Sequence, residues 1–359
     1  MGGGIARCLG EIARHYPRDE MVVSTGSVPA AVEADMALVT AVDRIEVAAD
    51  RLRTPTGLRR WSVRALDLAR SRDIRFVWAG NVKPAGYPAL WIRSRRGTPY
   101  GLITYGLDLM ILERQVGRSR LKRGIAKRLL GNAAVVVAIS RYTAAAAGRL
   151  LTALGLKSLT ERVRVVPLGA DVARFRPGLP TDRVRRHYGL EQRRWMLTVA
   201  RLVEHKGLLT GVGVLAALRE EFPDLGYMIA GTGPEQAAIQ AEAARLGLEQ
   251  RVRLLGEVPD SDLPELFNAS TVYLGLSRET ATQVEGFGLS MIEAAACGVP
   301  AVVGRGGGVG DTVQDGKTGF VVAPEIADGA AAVRAIVSDP VLARRLGEAV
   351  ASQGGATLR

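Results

Sequence analysis

The chain is poor in the residues that mark several common protein classes. It has only two cysteines, Cys8 and Cys297, in 359 residues. Thiols so far apart in sequence give neither a disulfide framework nor metal-ligand spacing, so a reducing cytoplasm is the expected compartment. Aromatic residues make up 5% of the chain, and no nucleic-acid module is recognisable, so nucleic acid is not an expected partner. No apolar run reaches the roughly 18 residues that a membrane-spanning helix needs. The opening MGGGIARCLGEIARHYP lacks a basic segment followed by an apolar core, so it does not read as a secretory signal. Histidine is scarce too, with His15, His187 and His205 the only three. Internal repeats and low-complexity tracts are absent.

What remains is an ordinary soluble composition, 47% hydrophobic and 23% charged, long enough for two domains with separate cores. The net charge of +12 is unevenly spread. Residues 1–176 carry 30 Lys/Arg against 14 Asp/Glu, whereas residues 177–359 carry 18 against 22. A basic half and a mildly acidic half suggest two domains with different partners. The basic half contains RQVGRSRLKRGIAKRLL at 114–130, with seven Lys/Arg and no acid until Glu161. Val116, Leu121, Ile125, Leu129 and Leu130 make it roughly amphipathic. An anionic membrane surface and a solvated basic helix face both fit that pattern.

Strand-like and helix-like runs alternate throughout, the pattern of parallel sheets covered by helices. Expected strands are 21–26, 74–80, 100–106, 133–140 and 163–169 in the first half. In the second they are 195–200, 226–231, 252–256, 271–277, 299–304 and 319–323, with helices over 207–222 and 235–248 among them. The Pro- and Gly-rich stretch ADVARFRPGLPTD (170–182) reads as a linker. The expected fold is α/β, two doubly wound domains in tandem, residues 1–177 and 178–359. In such sheets ligands bind where loops leave the carboxyl ends of strands, and an interdomain cleft is the default site.

Several loops carry chemistry. After WMLTVA, Arg201 and Lys206 flank a short loop leading into a helix, which suits a doubly charged phosphate group. After GYMIAG, Gly231 and Gly233 make a tight turn with Pro234 near the first helical position and Glu235 in the first turn. PDSDLPELF (259–267) holds an Asp-Ser-Asp that resembles a metal-holding acid pair, but Asp262 and Glu265 read instead as a helix capping box, with Pro264 in the first turn. In EGFGLSMIEAAACGVP, a glycine turn opens a helix whose apolar run contains one carboxylate, Glu293. A carboxylate rarely stays in apolar surroundings unpaired. It can accept hydrogen bonds from a diol such as ribose, or pair with a nearby arginine. Glu285 either faces a ligand or is an exposed loop acid.

The order Arg-x4-Lys, Gly-x-Gly-Pro-Glu and Glu-x7-Glu headed by Glu-Gly-Phe-Gly resembles the retaining GT-B glycosyltransferases of family 4, and the joint order is more specific than any one motif. VVPLGADVARFRP before it and GGVGDTVQDGKTGFVV after it extend the likeness, which is strongest over 163–323. The resemblance implies GT-B architecture, with two Rossmann-like domains facing a cleft, an acceptor-binding domain first and a nucleotide-sugar donor-binding domain second. It implies that Arg201 and Lys206 hold the donor diphosphate, that Glu293 binds the ribose, and that Glu285 contacts the transferred sugar. Backbone N–H groups of Phe287, Gly288 and Leu289 would help place sugar and phosphate, and Gly231 and Gly233 would line the donor site. The glycines Gly2, Gly3 and Gly4 would approach the phosphates from the first domain. Tyr105 stands where many relatives carry histidine, with Asp108 following as a sugar or acceptor contact. An unperturbed tyrosine, with a pKa near 10, is a poor base at neutral pH.

Relatives begin with a strand running into the glycine loop and end with a helix crossing back to the first domain. Both elements are expected to be missing here. The implied reaction moves a hexose from a UDP-, GDP- or ADP-sugar to a hydroxyl of a glycan or lipid-linked acceptor, with no metal and no further cofactor. The likeness extends to lipid-directed mannosyl- and glucosyltransferases of cell-envelope glycan or polysaccharide synthesis, cytoplasmic or peripheral on the inner membrane face. A hydrolysing nucleotide-sugar epimerase and a non-catalytic nucleotide-sugar-binding scaffold are the alternatives.

Overall fold

The computed structural model describes residues 4–17, 19–28, 35, 38, 40–190, 193–280 and 283–354. It divides into two compact units, residues 2–166 and 167–359. The division falls ahead of the expected 177/178 boundary. The reason is packing: Phe175 is buried against Phe267, ring centroids 5.9 Å apart, and Arg174 Nη2 donates to the Asp260 carbonyl at 2.9 Å. Much of the expected linker therefore belongs to the second unit.

In the N-terminal unit, α1 (Gly4–His15) leads to β1 (Val22–Ser27), β2 (Ala41–Ala48) and α2 (Pro55–Ser71). Then follow β3 (Val77–Ala79), α3 (Gly86–Arg96), β4 (Tyr100–Thr104), α4 (Leu107–Arg118), α5 (Arg120–Gly131), β5 (Val135–Ala138), α6 (Arg141–Ala153) and β6 (Val163–Val165). Among the described residues these strands form two parallel sheets, β1-β2 and β3-β4-β5-β6. Helix α2 serves the smaller sheet: Trp61, Ala65, Leu66 and Ala69 cluster with Ile45 of β2, and with Ile92 of α3. It starts where Thr54 Oγ1 accepts the Gly57 N–H at 3.1 Å and Pro55 takes a position that needs no donor.

Strand β2 lies where no strand was expected. Its sequence AVDRIEVA carries three charges, and only Ile45 is fully buried, so it lacks the apolar run of a central strand. The basic stretch 114–130 is two helices separated by Ser119, whose Oγ accepts the Lys122 N–H at 3.3 Å. Its apolar side is already used. Val116, Ala126 and Leu130 lie in the core of the larger sheet, and of the large apolar residues there only Leu121 stands far out, 75% exposed. The outward face of α5 is therefore a solvated basic face.

The C-terminal unit runs α7 (Asp182–His187), β7 (Arg194–Val199), α8 (Leu208–Leu218), β8 (Leu225–Ala230), α9 (Gln236–Arg245), β9 (Val252–Gly256), α10 (Leu263–Asn268) and β10 (Val272–Gly275). It continues with α11 (Leu289–Ala296), β11 (Ala301–Gly304), β12 (Gly319–Val322), α12 (Ile326–Ser338) and α13 (Pro340–Gly354). One parallel sheet has the order β12-β11-β10-β7-β8-β9. Helices α8, α9 and α12 cover one face through Val212, Leu215, Ile239 and Val333. Helices α10 and α11 cover the other through Leu266, Phe267, Met291 and Ala294. All six residues of β8 are buried, as expected for a parallel strand covered on both faces. The strand order reverses between β7 and β10, so the loops after these two strands diverge and leave a crevice at their carboxyl ends.

Two local expectations are corrected. Asp262 does not cap α10. Its backbone is helical, and its carboxylate instead receives Arg183 Nη2 at 2.8 Å and the Tyr188 hydroxyl at 2.9 Å, which holds it well below the usual carboxylate range. Glu265 likewise turns to Arg183. Helix α9 begins at Gln236, so Pro234 and Glu235 form the turn ahead of it.

Candidate active site

Three loops of the C-terminal unit meet at the crevice between β7 and β10. After β7 the chain passes Arg201 and makes one short 3-10 turn, Glu204–Lys206, before α8. After β8, the Gly231–Gly233 turn folds back onto this loop. The Thr232 carbonyl accepts the Leu202 N–H at 3.0 Å, and the Leu202 carbonyl accepts the Glu235 N–H at 3.1 Å. The approach is so close that a Cβ on Gly231 would stand 1.9 Å from the Ala200 carbonyl oxygen. After β10 the chain reaches Glu285 and turns through Gly288 into α11. Gly288 adopts φ 99°, and a Cβ there would meet Met291 Sδ at 2.5 Å.

The central contact is an ion pair between Lys206 Nζ and Glu285 Oε2, whose side chains are 18% and 17% exposed. Ser277 Oγ lies 3.4 Å from the same carboxylate oxygen. The Glu285 carbonyl accepts the Gly308 N–H at 2.8 Å, which ties the loop to the glycine turn after β11. Beside the pair, Arg201, Val203, Glu204, His205, Thr280 and Gln283 line a pocket. His205 is buried. Burial first, and then the Lys206 charge, hold its imidazole below the usual value, with Glu285 opposing.

Glu293 lies in α11 at 2% exposure. Its charge reaches two neighbours. It adds to the burial that pushes the Cys297 thiol up to about 12, and it acts with Glu285 on the Tyr273 hydroxyl, which burial raises first. Both carboxylates therefore bear on one ring, whose hydroxyl is 2.7 Å from Ser290 Oγ. Phe287 is buried, and Leu289 starts the helix. Among the described residues, the backbone N–H groups of Phe287, Gly288 and Leu289 have no protein acceptor. They are the donors that a helix start offers to an anion or a hydroxyl.

Sequence reasoning passed over Arg278. Its N–H donates to the His205 carbonyl at 2.8 Å and its Nη2 to Thr210 Oγ1 at 3.2 Å, which joins the loop after β10 to the first turn of α8. Its charge also reaches Glu235, whose carboxyl is raised by burial and by Glu204. Position alone, just past β10 in the reversal of strand order, could have drawn attention to it.

The N-terminal unit places Tyr105 and Asp108 together where β4 passes into α4. Asp108 Oδ1 accepts the N–H groups of Tyr105 and Leu109, both at 3.0 Å. Burial raises its carboxyl above the ordinary range against these bonds and one from the Val82 N–H. Tyr105 is 7% exposed; burial raises its hydroxyl further, and the Cys8 thiol of α1 stands against it. Gly4 opens α1, whereas Gly2 and Gly3 lie outside the described residues. Among the described residues, no group of three or more His, Cys, Asp or Glu side chains is placed to hold a metal.

Residues 2–174 match the family described as Glycosyltransferase Family 4, and residues 181–353 match Glycosyl transferases group 1. Over 287 residues the chain is 33% identical to the GDP-mannose-dependent alpha-(1-6)-phosphatidylinositol monomannoside mannosyltransferase of Mycolicibacterium smegmatis, an alignment covering 79% of this chain and 72% of that one. The protein of the same description from Mycobacterium tuberculosis is 32% identical over 266 residues, 72% of this chain and 66% of its own length. The structure superposes on that of Anabaena Alr3699/HepE in complex with UDP and glucose with a TM-score of 0.80, 22% identity and coverage of 99% and 92%. The fold is thus GT-B, with two Rossmann-like domains built on parallel sheets. Family matches over both units, together with a relative one-third identical over most of its length, establish that the chain belongs to the family 4 glycosyltransferases.

Proposed function

We propose that the protein moves a hexose from a nucleoside-diphosphate sugar to a hydroxyl of a lipid-linked or glycan acceptor, with retention of configuration and without a metal ion. The observation that carries this reading is the Lys206–Glu285 pair beside the unaccepted N–H groups that open α11. A cation and oriented amides suit the charge that develops on a departing diphosphate, the largest electrostatic demand of such a transfer. Arg201 adds a second cation at the pocket, Glu285 takes sugar hydroxyls, and Glu293 takes the ribose diol.

In the transfer, the bond from the anomeric carbon to the phosphate oxygen breaks and a bond to the acceptor oxygen forms on the same face. The acceptor proton passes to the departing phosphate. Tyr105 suits no base role, because burial moves its hydroxyl further from neutrality. A lipid-linked acceptor is favoured by the relatives named for phosphatidylinositol monomannoside and by the basic outer face of α5. Among the described residues no helix is long and apolar enough to cross a membrane, so attachment to an inner membrane face would be peripheral and electrostatic.

Purified protein is incubated with UDP-, GDP- and ADP-sugars and chelator, with and without phosphatidylinositol-type lipid or glycan. Acceptor-dependent nucleotide release is the expected result. Release without acceptor and with an altered sugar would identify an epimerase, and binding without release a scaffold. Lys206→Ala should slow transfer by about 10²-fold or more.

A further inference from the structure

Of the chain's three histidines, His205 stands in the turn that carries Lys206, and the transfer described above gives it no task. The turn is held on several sides. The Val203 carbonyl accepts the Lys206 N–H at 2.9 Å, and the His205 carbonyl accepts the Arg278 N–H at 2.8 Å. Gly207, with φ 68°, runs so close to the chain leaving β10 that a Cβ would stand 2.2 Å from the Leu276 carbonyl oxygen. Bonds and packing thus fix the backbone of His205.

Its side chain is not tied in the same way. His205 is 4% exposed, yet among the described residues neither ring nitrogen has a hydrogen-bond partner, and neither is enclosed. Buried polar groups ordinarily have partners, and an imidazole always has at least one N–H to give. The opening that His205 borders is the pocket it shares with Arg201, Glu204, Thr280 and Gln283. Burial chiefly, then Lys206 and Arg201, keep a proton off the ring, whereas Glu285 and Glu204 favour one. The imidazole is therefore neutral at pH 7. An anion that engages Arg201 and Lys206 would cancel the two charges that oppose the proton.

We propose that His205 is a further diphosphate-binding residue, whose imidazole donates to a phosphate oxygen and takes up a proton as the diphosphate enters. The proton comes from solvent and returns to it when the diphosphate leaves. An imidazolium offers two N–H groups where the neutral ring offers one, and a charged donor makes the stronger bond to phosphate. The proposal rests on the transferase reading above, because it takes the anion of this pocket to be the donor's diphosphate.

The test uses full-length protein and follows the ring C–H signals of its three histidines by NMR from about pH 5 to 8. The His205 signal is assigned by its loss in His205→Gln. Saturating GDP-mannose or UDP-glucose, whose esterified diphosphate does not itself titrate near neutrality, should raise the His205 midpoint and leave those of His15 and His187 in place. Because the bound midpoint then lies above the free one, calorimetric affinity should tighten as pH falls. His205→Leu should weaken binding by about tenfold and remove its pH dependence. His205→Gln, which keeps an N–H but does not titrate, should recover part of the affinity and none of the pH dependence. A nucleotide sugar that binds and leaves the His205 midpoint unmoved would overturn the proposal while the donor reading stands. If nucleotide sugars do not bind but inorganic pyrophosphate raises that midpoint, the donor reading fails and the anion contact stands. No response to either, or equal shifts at all three histidines, would remove the contact.

Discussion

At the scale of single residues, Lys206 and Glu285 already have each other as partners. A diphosphate that recruits Lys206 must take it from Glu285, and a sugar that recruits Glu285 frees Lys206. Glu285→Gln is therefore expected to tighten a sugar-free nucleoside diphosphate by about fivefold, the scale of a partly exposed ion pair, while slowing transfer. Calorimetric titration checks the first effect, and weaker nucleotide binding by the variant would exclude the exchange. His205 gives a pH signature. Its folded pKa is depressed, so the unfolded chain takes up a proton first as pH falls below about 6.5. Stability should be full above that value and decline as pH falls toward the folded pKa. His205→Asn should flatten the decline, read from urea midpoints between pH 5 and 7.

At the scale of elements, the anchoring of α10 rests on Asp262, whose carboxylate joins Arg183 and Tyr188 of the segment that opens the unit. Asp262→Ala should destabilise the C-terminal unit by about 1 kcal/mol, because it removes the acceptor of the partly buried Tyr188 hydroxyl and the partner of Arg183. Urea unfolding measures this, and a change within error would show that the two bonds are replaced by water. That pair was not legible in the sequence: the separation of Arg183 from Asp262 is tertiary, and the local Asp-x-x-Glu spacing offered a capping box instead. The strands of the second unit were legible because they are buried on both faces and read as unbroken apolar runs. Strand β2 escaped because its half-covered sheet tolerates Asp43, Arg44 and Glu46. The loops that carry Lys206 and Glu285 were visible through glycines and charges at fixed spacing.

At the scale of the whole molecule, the two units differ in how completely they are built. The C-terminal sheet has a core on each face, drawn wholly from residues 170–346. Residues 167–359 expressed alone should fold cooperatively and bind a nucleoside-diphosphate sugar with nearly the affinity of the full chain. Failure to fold, judged by a sloping urea transition, would mean that its stability depends on the other unit. The basic N-terminal unit should carry any attraction to acidic vesicles. Binding in sedimentation assays is expected to fall with salt and to be weak on neutral vesicles, and equal binding to both would count against an electrostatic mode.

Of the chain's four tryptophans, Trp61 and Trp195 are buried, whereas Trp78 and Trp91 are 48% and 40% exposed. Trp61 Nε1 donates to Ser24 Oγ of β1 at 3.1 Å and packs within the α2 cluster, whereas Trp195 sits inside the larger sheet of the other unit. A two-stranded sheet is marginal without the helix that covers it. Intrinsic fluorescence thus offers two built-in reporters of different events. A red shift lost in Trp61→Phe would time the detachment of β1 and β2, and one lost in Trp195→Phe would time the collapse of the C-terminal sheet.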